Sequence, residues 1–339
     1  MTSRTTATRR FKLDWVLVRS LCIQNEVLMI TVSDLTFNYP GVRALDDISF
    51  HLPPRSITAL VGPNGAGKTT LMRCLAALEE PVGGTITIHG VDVLAEPRRC
   101  HRLVGYLSDF YGLYEQLSVH QCLLHAAAVN GVAPRDEERT ALRAAQRLGI
   151  DDRLDVQART LSRGLRQRLG IAQAIVHEPK VLLLDEPASG LDPEARHSLA
   201  KLFLQLRDEG MTLLVSSHIL SELEEYSTDM LVLRRGKIIS HDPVQTERRS
   251  GFTVRLILSL VQPAKGFAAA FQALEGVSDL VVTEEEKVFS FLFPDDPERQ
   301  RLLLQKLVER GVPVCGFGAE RRTMQDAYLA TVTGTSGAK

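Results

Sequence analysis

The sequence predicts an α/β chain, with a mixed-sheet core, a helical insert and a small α+β tail. Three observations predict it. From Met29 onward, short apolar strands alternate with helical stretches. One strand runs straight into a glycine-rich turn and a helix. Beyond about residue 250 the order becomes strand, helix, two strands, helix, strand, which is a ferredoxin-like succession.

Size and composition bound the class. A chain of 339 residues holds two domains at about 150 residues each. With 44% apolar and 24% charged residues it is globular rather than wholly disordered. Forty basic residues face forty-one acidic ones, for a net charge of −1, which argues against a nucleic-acid-coating protein. The five cysteines (Cys22, Cys74, Cys100, Cys122, Cys315) form no Cys-x-x-Cys pair. A reducing compartment is expected, rather than a zinc site or a disulfide framework. No uninterrupted apolar run reaches the ~18 residues of a membrane span. Any membrane role must come through a partner.

Residues 1–28 carry five basic and two acidic side chains around the single tryptophan, Trp15. Asp14 and Arg19 break the apolar stretch that a cleavable leader needs. The segment reads as a poorly ordered extension. Two alternatives are translation from Met29, just before the strand Ile30-Thr31-Val32, and an interfacial helix around Trp15. The domain that follows is expected over residues 29–247.

The segment Ile57–Val61 is rich in β-branched residues and strand-sized. It leads into Gly62-Pro63-Asn64-Gly65-Ala66-Gly67-Lys68-Thr69-Thr70, and residues 71–78 read as a helix. This is G-x-x-x-x-G-K-[ST] in its strand–loop–helix context. A triphosphate needs many backbone N–H donors close to its oxygens, and glycines remove the Cβ atoms that would keep them away. The helix points its positive end at the phosphates. Lys68 is then expected to reach the β- and γ-phosphates, and the Thr69 hydroxyl to ligate Mg²⁺.

A second strand, Val181-Leu182-Leu183-Leu184, is apolar throughout, as a strand buried on both faces must be. It ends in Asp185-Glu186-Pro187. Asp185 is expected to hold the magnesium through water. Glu186 is placed to take a proton from the attacking water.

Between and after these motifs lie residues that resemble the ATP-binding cassette (ABC) ATPases. Leu161-Ser162-Arg163-Gly164-Leu165-Arg166-Gln167-Arg168 looks like the signature of that family. Ser189-Gly190-Leu191-Asp192 resembles its D-loop, and His218, at the end of Thr212-Leu213-Leu214-Val215-Ser216-Ser217, its switch histidine. Tyr39, in Phe37-Asn38-Tyr39-Pro40, stands where the family stacks an aromatic ring on adenine. Asp192 also suits an N-cap before Pro193. The resemblance covers residues 30–240.

The resemblance implies an ATPase that sandwiches two ATP molecules between two cassettes, either a homodimer or a heterodimer. Ser162 and Gly164 would meet the γ-phosphate, His218 would steady the attacking water, and ATP and Mg²⁺ are the implied cofactors. It further implies an export-type transporter subunit at the cytoplasmic face of the membrane, working through separate membrane-spanning permease subunits. No nucleic acid is expected. Two positions depart from the family pattern. Arg163 and Leu165 replace Gly and Gln of the signature, which alters contacts around the ribose. Asp109, after Val104-Gly105-Tyr106-Leu107-Ser108, stands where many relatives carry Gln, and it can still accept from water or ligate Mg²⁺.

Two other classes fit the sequence less well. Soluble ABC ATPases of the ribosome carry two cassettes and those of DNA repair a long coiled coil, whereas this chain has one phosphate loop and no sustained heptads. The signature and His218 argue against a small-molecule kinase.

The rest of the chain reads as support. Residues 112–171 read mostly helical, with charged positions forming a solvated face. The resemblance makes this the subdomain that carries the signature, and puts Phe110-Tyr111-Gly112-Leu113-Tyr114 in the groove that receives a coupling helix. Residues 250–335 form the α+β tail: strands over 252–260, 280–283, 288–293 and 312–317, helices over 264–274 and 299–309, and a closing helix over 323–331. Glu284-Glu285-Glu286 reads as a solvated turn. The tail is expected to serve dimerisation or regulation.

Overall fold

The computed structural model describes residues 28–109, 112–243, 253–263, 267–272, 274–283 and 287–319, together with Met324, Gln325 and Tyr328. The expectations for residues 1–27, for Phe110 and Tyr111, for the turn at 284–286 and for most of the closing helix lie outside the described residues. The chain divides into two compact units, and the second spans residues 245–330.

Two sheets build the first unit. An antiparallel sheet runs β2-β1-β4-β5, formed by β1 (Ile30–Tyr39), β2 (Val42–Leu52), β4 (Gly83–Ile88) and β5 (Val91–Asp92). The central sheet runs β10-β9-β3-β8-β7-β6. Its strands are β3 (Ile57–Val61), β6 (Val104–Leu107), β7 (Val181–Asp185), β8 (Thr212–Ser216), β9 (Asp229–Arg234) and β10 (Lys237–Pro243). All pairings are parallel except that of β10 with β9. Every residue of β3, β7 and β8 is buried, which is why these strands are apolar runs rather than alternating ones.

Helix α1 is Lys68–Leu75, shifted three residues toward the N-terminus from the expected 71–78. It starts directly at the end of the glycine-rich loop. It stops because Ala77 turns to a φ of 56°, incompatible with a further helical turn. A short helix α2 (Pro97–His101) follows.

In the helical insert, α3 (Val119–Val129) opens with a capping box. Gln121 N–H donates to Ser118 Oγ at 3.2 Å, and Ser118 N–H donates to the Gln121 side chain at 2.9 Å. Helix α4 (Pro134–Leu148) begins at a proline and ends at Gly149, with Asp136 and Glu137 in the first turn and Arg147 in the last. It buries a stripe of Thr140, Ala141, Ala144, Ala145 and Leu148 and leaves its charges outward. Helix α5 (Arg163–Ile175) packs against α3, α4 and β6. Helices α6 (Pro193–Asp208) and α7 (Leu220–Leu223) complete the unit.

Just past α5, His177 bonds the Val104 carbonyl of β6 through Nε2 at 3.2 Å. Its Nδ1 is buried without a partner. Burial therefore favours the neutral ring and lowers its pKa from 6.5. A depressed folded-state value contributes stability that is complete above about pH 6.5 and is lost as pH falls toward the folded-state pKa. Urea midpoints at about pH 7.5 and about pH 5 will therefore differ less for His177→Gln than for the wild type. An equal loss in both proteins would exonerate His177.

The second unit is a four-stranded antiparallel sheet ordered β12-β13-β11-β14. Its elements are β11 (Thr253–Leu260), α8 (Phe267–Gln272), β12 (Ser278–Thr283), β13 (Val288–Pro294), α9 (Pro297–Glu309) and β14 (Val314–Ala319). This is the ferredoxin-like arrangement read from the sequence. Alternation sends Leu256, Leu258 and Leu260 and Phe289, Phe291 and Phe293 to one face, where they pack with Phe271, Leu303 and Leu307. Asp296 caps α9 by accepting from the N–H groups of Glu298 at 2.9 Å and Arg299 at 3.3 Å. Among the described residues, no cluster of three or more His, Cys, Asp or Glu side chains could hold a metal. No helix among them is long and apolar enough to cross a membrane.

Candidate active site

The glycine-rich loop is wedged between two parts of the fold. A Cβ on Gly62 would lie 2.1 Å from the Leu233 carbonyl oxygen of β9, so a side chain there would drive the loop off the sheet. Gly67 has a φ of 109°, and a Cβ on it would lie 2.7 Å from the Ala44 carbonyl oxygen. Gly236 N–H donates to the Ala66 carbonyl at 2.9 Å, and Asp46 N–H donates to the Gly236 carbonyl at 2.8 Å. Gly67 supplies no side-chain cap to α1, so the helix presents its first N–H groups toward the loop. Pro63, Asn64, Gly65 and Thr69 are exposed along it, and Ala66 and Thr70 anchor it from below. Lys68 is only 7% exposed. Its Nζ donates to the carbonyl of Gly62 at 2.7 Å and contacts that of Pro63 at 3.4 Å.

Strand register carries the carboxylates to the same edge. Leu60 of β3 pairs with Ser216 of β8, and Ser216 with Asp185 of β7. Asp185 is 2% exposed. The Ser216 hydroxyl donates to Asp185 Oδ1 at 2.5 Å and accepts from the Glu186 N–H at 3.0 Å. Asp185 Oδ2 is buried with no hydrogen-bond partner. Glu186 has a φ of 52°, a strained conformation for a non-glycine residue, and the Ser216 contact helps to hold it. Glu186 Oε2 lies 2.8 Å from Nδ1 of His218, whose side chain is 56% exposed.

Asp109 is exposed just past β6. The Tyr106 phenol is pushed up to about 12, by burial first, then by the Asp185 charge and more weakly by Asp109. Tyr39 closes β1, 39% exposed and edge-on to Phe37 at a centroid distance of 4.9 Å.

The signature and D-loop residues form a second group. Ser162 caps α5, its Oγ accepting from Leu165 N–H at 3.3 Å. Gly164 lies in the first turn of that helix, near Ala195 of α6. Asp192 caps α6, accepting from Ala195 N–H at 2.8 Å, with Pro193 at its first position. Among the described residues, the hydrogen bonds of Ser162 and Arg163 run to α5 and the Ser189 turn, not to the phosphate loop. The structure therefore brings together Asp185, Glu186 and His218 at the edge where the phosphate loop begins. It leaves Ser162, Gly164 and Asp192 at the starts of α5 and α6.

Sequence reasoning passed over Ser216. The only signal was a hydroxyl at the end of a strand whose three central residues are apolar. Without it, Asp185 loses a charge-assisted donor and the Glu186 N–H its acceptor. Ser216→Ala is expected to lower kcat for ATP by roughly 10–100-fold with KM little changed. Steady-state phosphate release measures this, and an unaltered kcat would deny Ser216 that role.

A largely parallel sheet carrying a glycine-rich loop, with a carboxylate pair at the end of the strand two places away and a helical insert opening on a capped Leu-Ser motif, defines a nucleotide-binding cassette. A family model described as ABC transporter matches residues 45–189. The uncharacterized ABC transporter ATP-binding protein YxlF of Bacillus subtilis (strain 168) is 30% identical over 304 residues, 90% of this chain and 99% of the relative. The daunorubicin/doxorubicin resistance ATP-binding protein DrrA of Streptomyces peucetius is 28% identical, over 89% of this chain and 91% of the relative. Among solved structures, cbiO1 of Clostridium perfringens, part of the ABC transporter complex cbiONQ, matches with a TM-score of 0.60 at 29% identity. That match covers 65% of this chain and 90% of cbiO1. The chain belongs to the ABC transporter ATP-binding proteins and is the ATP-binding, ATP-hydrolysing subunit of such a transporter.

Proposed function

We propose that the chain powers an export-type transporter, closing with a second cassette around two ATP molecules at the cytoplasmic face of a membrane-spanning permease. The likeness to DrrA carries the export reading, because it runs through the tail as well as the cassette. The joined set of Asp185, Ser216, Glu186 and His218 supports the hydrolytic one.

In this reading Tyr39 stacks on adenine through its exposed face, and residues 62–70 wrap the phosphates. Lys68 reaches the β- and γ-phosphates. The buried, unpartnered Asp185 Oδ2, the exposed Thr69 hydroxyl and Asp109 form a hard-oxygen donor set suited to Mg²⁺. When bound, that ion neutralises phosphate charge. The His218 contact occupies Glu186 Oε2 and leaves Oε1 to take the proton of the attacking water. Ser162, Gly164 and Asp192 serve the nucleotide of the opposing cassette.

An open cleft of about 480 Å³ is lined in part by Leu78, Arg98, His101, Arg102, Tyr106 and Val129. Its cationic side suits an acidic, amphipathic segment of the permease. Tyr114, 55% exposed, extends the apolar surface of this unit. The test is a pull-down from detergent-solubilised native membranes, using wild type and Glu186→Gln with ATP and Mg²⁺. Recovery of a multi-span membrane protein supports the transporter assembly. Recovery of ribosomes or DNA complexes alone would replace it with a soluble role.

A further inference from the structure

We propose that Arg163 is a positioning residue that ties the signature helix to the segment bearing the catalytic carboxylate of the same chain. Its guanidinium bridges two elements distant in sequence. Nη2 donates to the Ser189 carbonyl at 2.7 Å. The Ser189 N–H in turn donates to the Glu186 carbonyl at 3.1 Å. Arg163 is the first residue of α5, directly after the capping Ser162. A two-bond path therefore runs from the start of the signature helix to the backbone of Glu186.

The space for this clamp comes from Gly190. Its φ is 66°, and a Cβ there would lie 2.3 Å from Arg163 Cζ. The guanidinium occupies the volume that any other residue at 190 would fill. A planar, permanently charged fork on a long stem can span this gap and hold a carbonyl, which a glycine at position 163 could not do.

The inference rests on the sandwich reading, in which Ser162 and Gly164 face the nucleotide of the opposing cassette while Glu186 serves this chain's own. Arg163 then transmits closure on one nucleotide to the base acting on the other, through the turn Ser189-Gly190. The sequence-based reading, in which Arg163 alters contacts around the ribose, makes it a direct nucleotide contact and predicts a different kinetic signature.

The test is a double-mutant cycle on the purified full chain, with steady-state ATP hydrolysis as the readout. Arg163→Ala is expected to lower kcat about tenfold while KM stays within about twofold. Gly190→Ala, which displaces the guanidinium, should do the same. The double variant should be no slower than the worse single one, because both changes break one clamp. Arg163→Lys should recover part of kcat by reaching the same carbonyl. Unchanged thermal melting of Arg163→Ala excludes a folding effect in that variant, since Arg163 is exposed. A raised KM with intact kcat, multiplying effects in the double variant, or an unaltered kcat in Arg163→Ala each overturns the proposal. Gel filtration of Glu186→Gln with ATP separates the two layers. A nucleotide-dependent dimer keeps the sandwich reading whatever Arg163 does, and a persistent monomer removes that reading and the coupling with it.

Discussion

Glu186→Gln will bind ATP as wild type does and turn it over roughly 10²–10⁴-fold more slowly, the range a positioned general base contributes. The substitution is nearly isosteric. Gln has the same reach, so its amide oxygen can still accept from Nδ1 of His218 at the 2.8 Å contact. The backbone anchor is also untouched, because Ser216 Oγ bonds the N–H of residue 186 rather than its side chain. What disappears is the basicity of Oε1. Binding of a fluorescent ATP analogue and single-turnover phosphate release separate the two quantities. Turnover within tenfold of wild type would take the base role away from Glu186 and pass it to His218, the other titratable group in contact there.

The second large effect belongs to binding rather than turnover. Lys68→Ala is expected to weaken ATP affinity by about 100-fold, or ~2.7 kcal/mol, as loss of a charge-assisted contact in a dry site should. Lys68 is 7% exposed, and its ammonium is already aligned by the carbonyls of Gly62 and Pro63. It therefore loses little freedom when it turns to a phosphate. Lys68→Arg should not restore binding, because a planar fork does not reproduce the compact ammonium seated on two carbonyls. Calorimetric titration with ATP decides the matter. An affinity within threefold of wild type would disqualify residues 62–70 as the nucleotide site.

The parts of this architecture that were legible in the sequence are those whose cause is local. Strand β3 matches its expected limits at Ile57–Val61, since a β-branched run followed by a glycine leaves little choice. The tail topology also followed from sequence, because Phe289, Phe291 and Phe293 alternate at the period of a half-buried strand. Helix α1 was misplaced by three residues because its ends are fixed by backbone angles at Gly67 and Ala77, and apolar spacing does not report those. Ser216 and Arg163 were harder still. Ser216 matters because β8 lies between β3 and β7, a strand order set by crossovers rather than by neighbours in sequence. Arg163 could be read only as a departure from the signature. Its contact with Ser189, twenty-six positions away, exists because α5 and the turn after β7 meet in space.

The anchoring of the glycine-rich loop bears on how the protein is made. The loop is walled by Ala44, Leu233 and Gly236, and its strand β3 sits between β8 and β9. A chain emerging from the ribosome holds residues 62–70 long before the segment that shapes them has been synthesised. Contacts of such long sequence separation form late. Nucleotide competence therefore arrives at the end of the cassette's synthesis, and a partly made cassette has no finished seat in which to trap ATP.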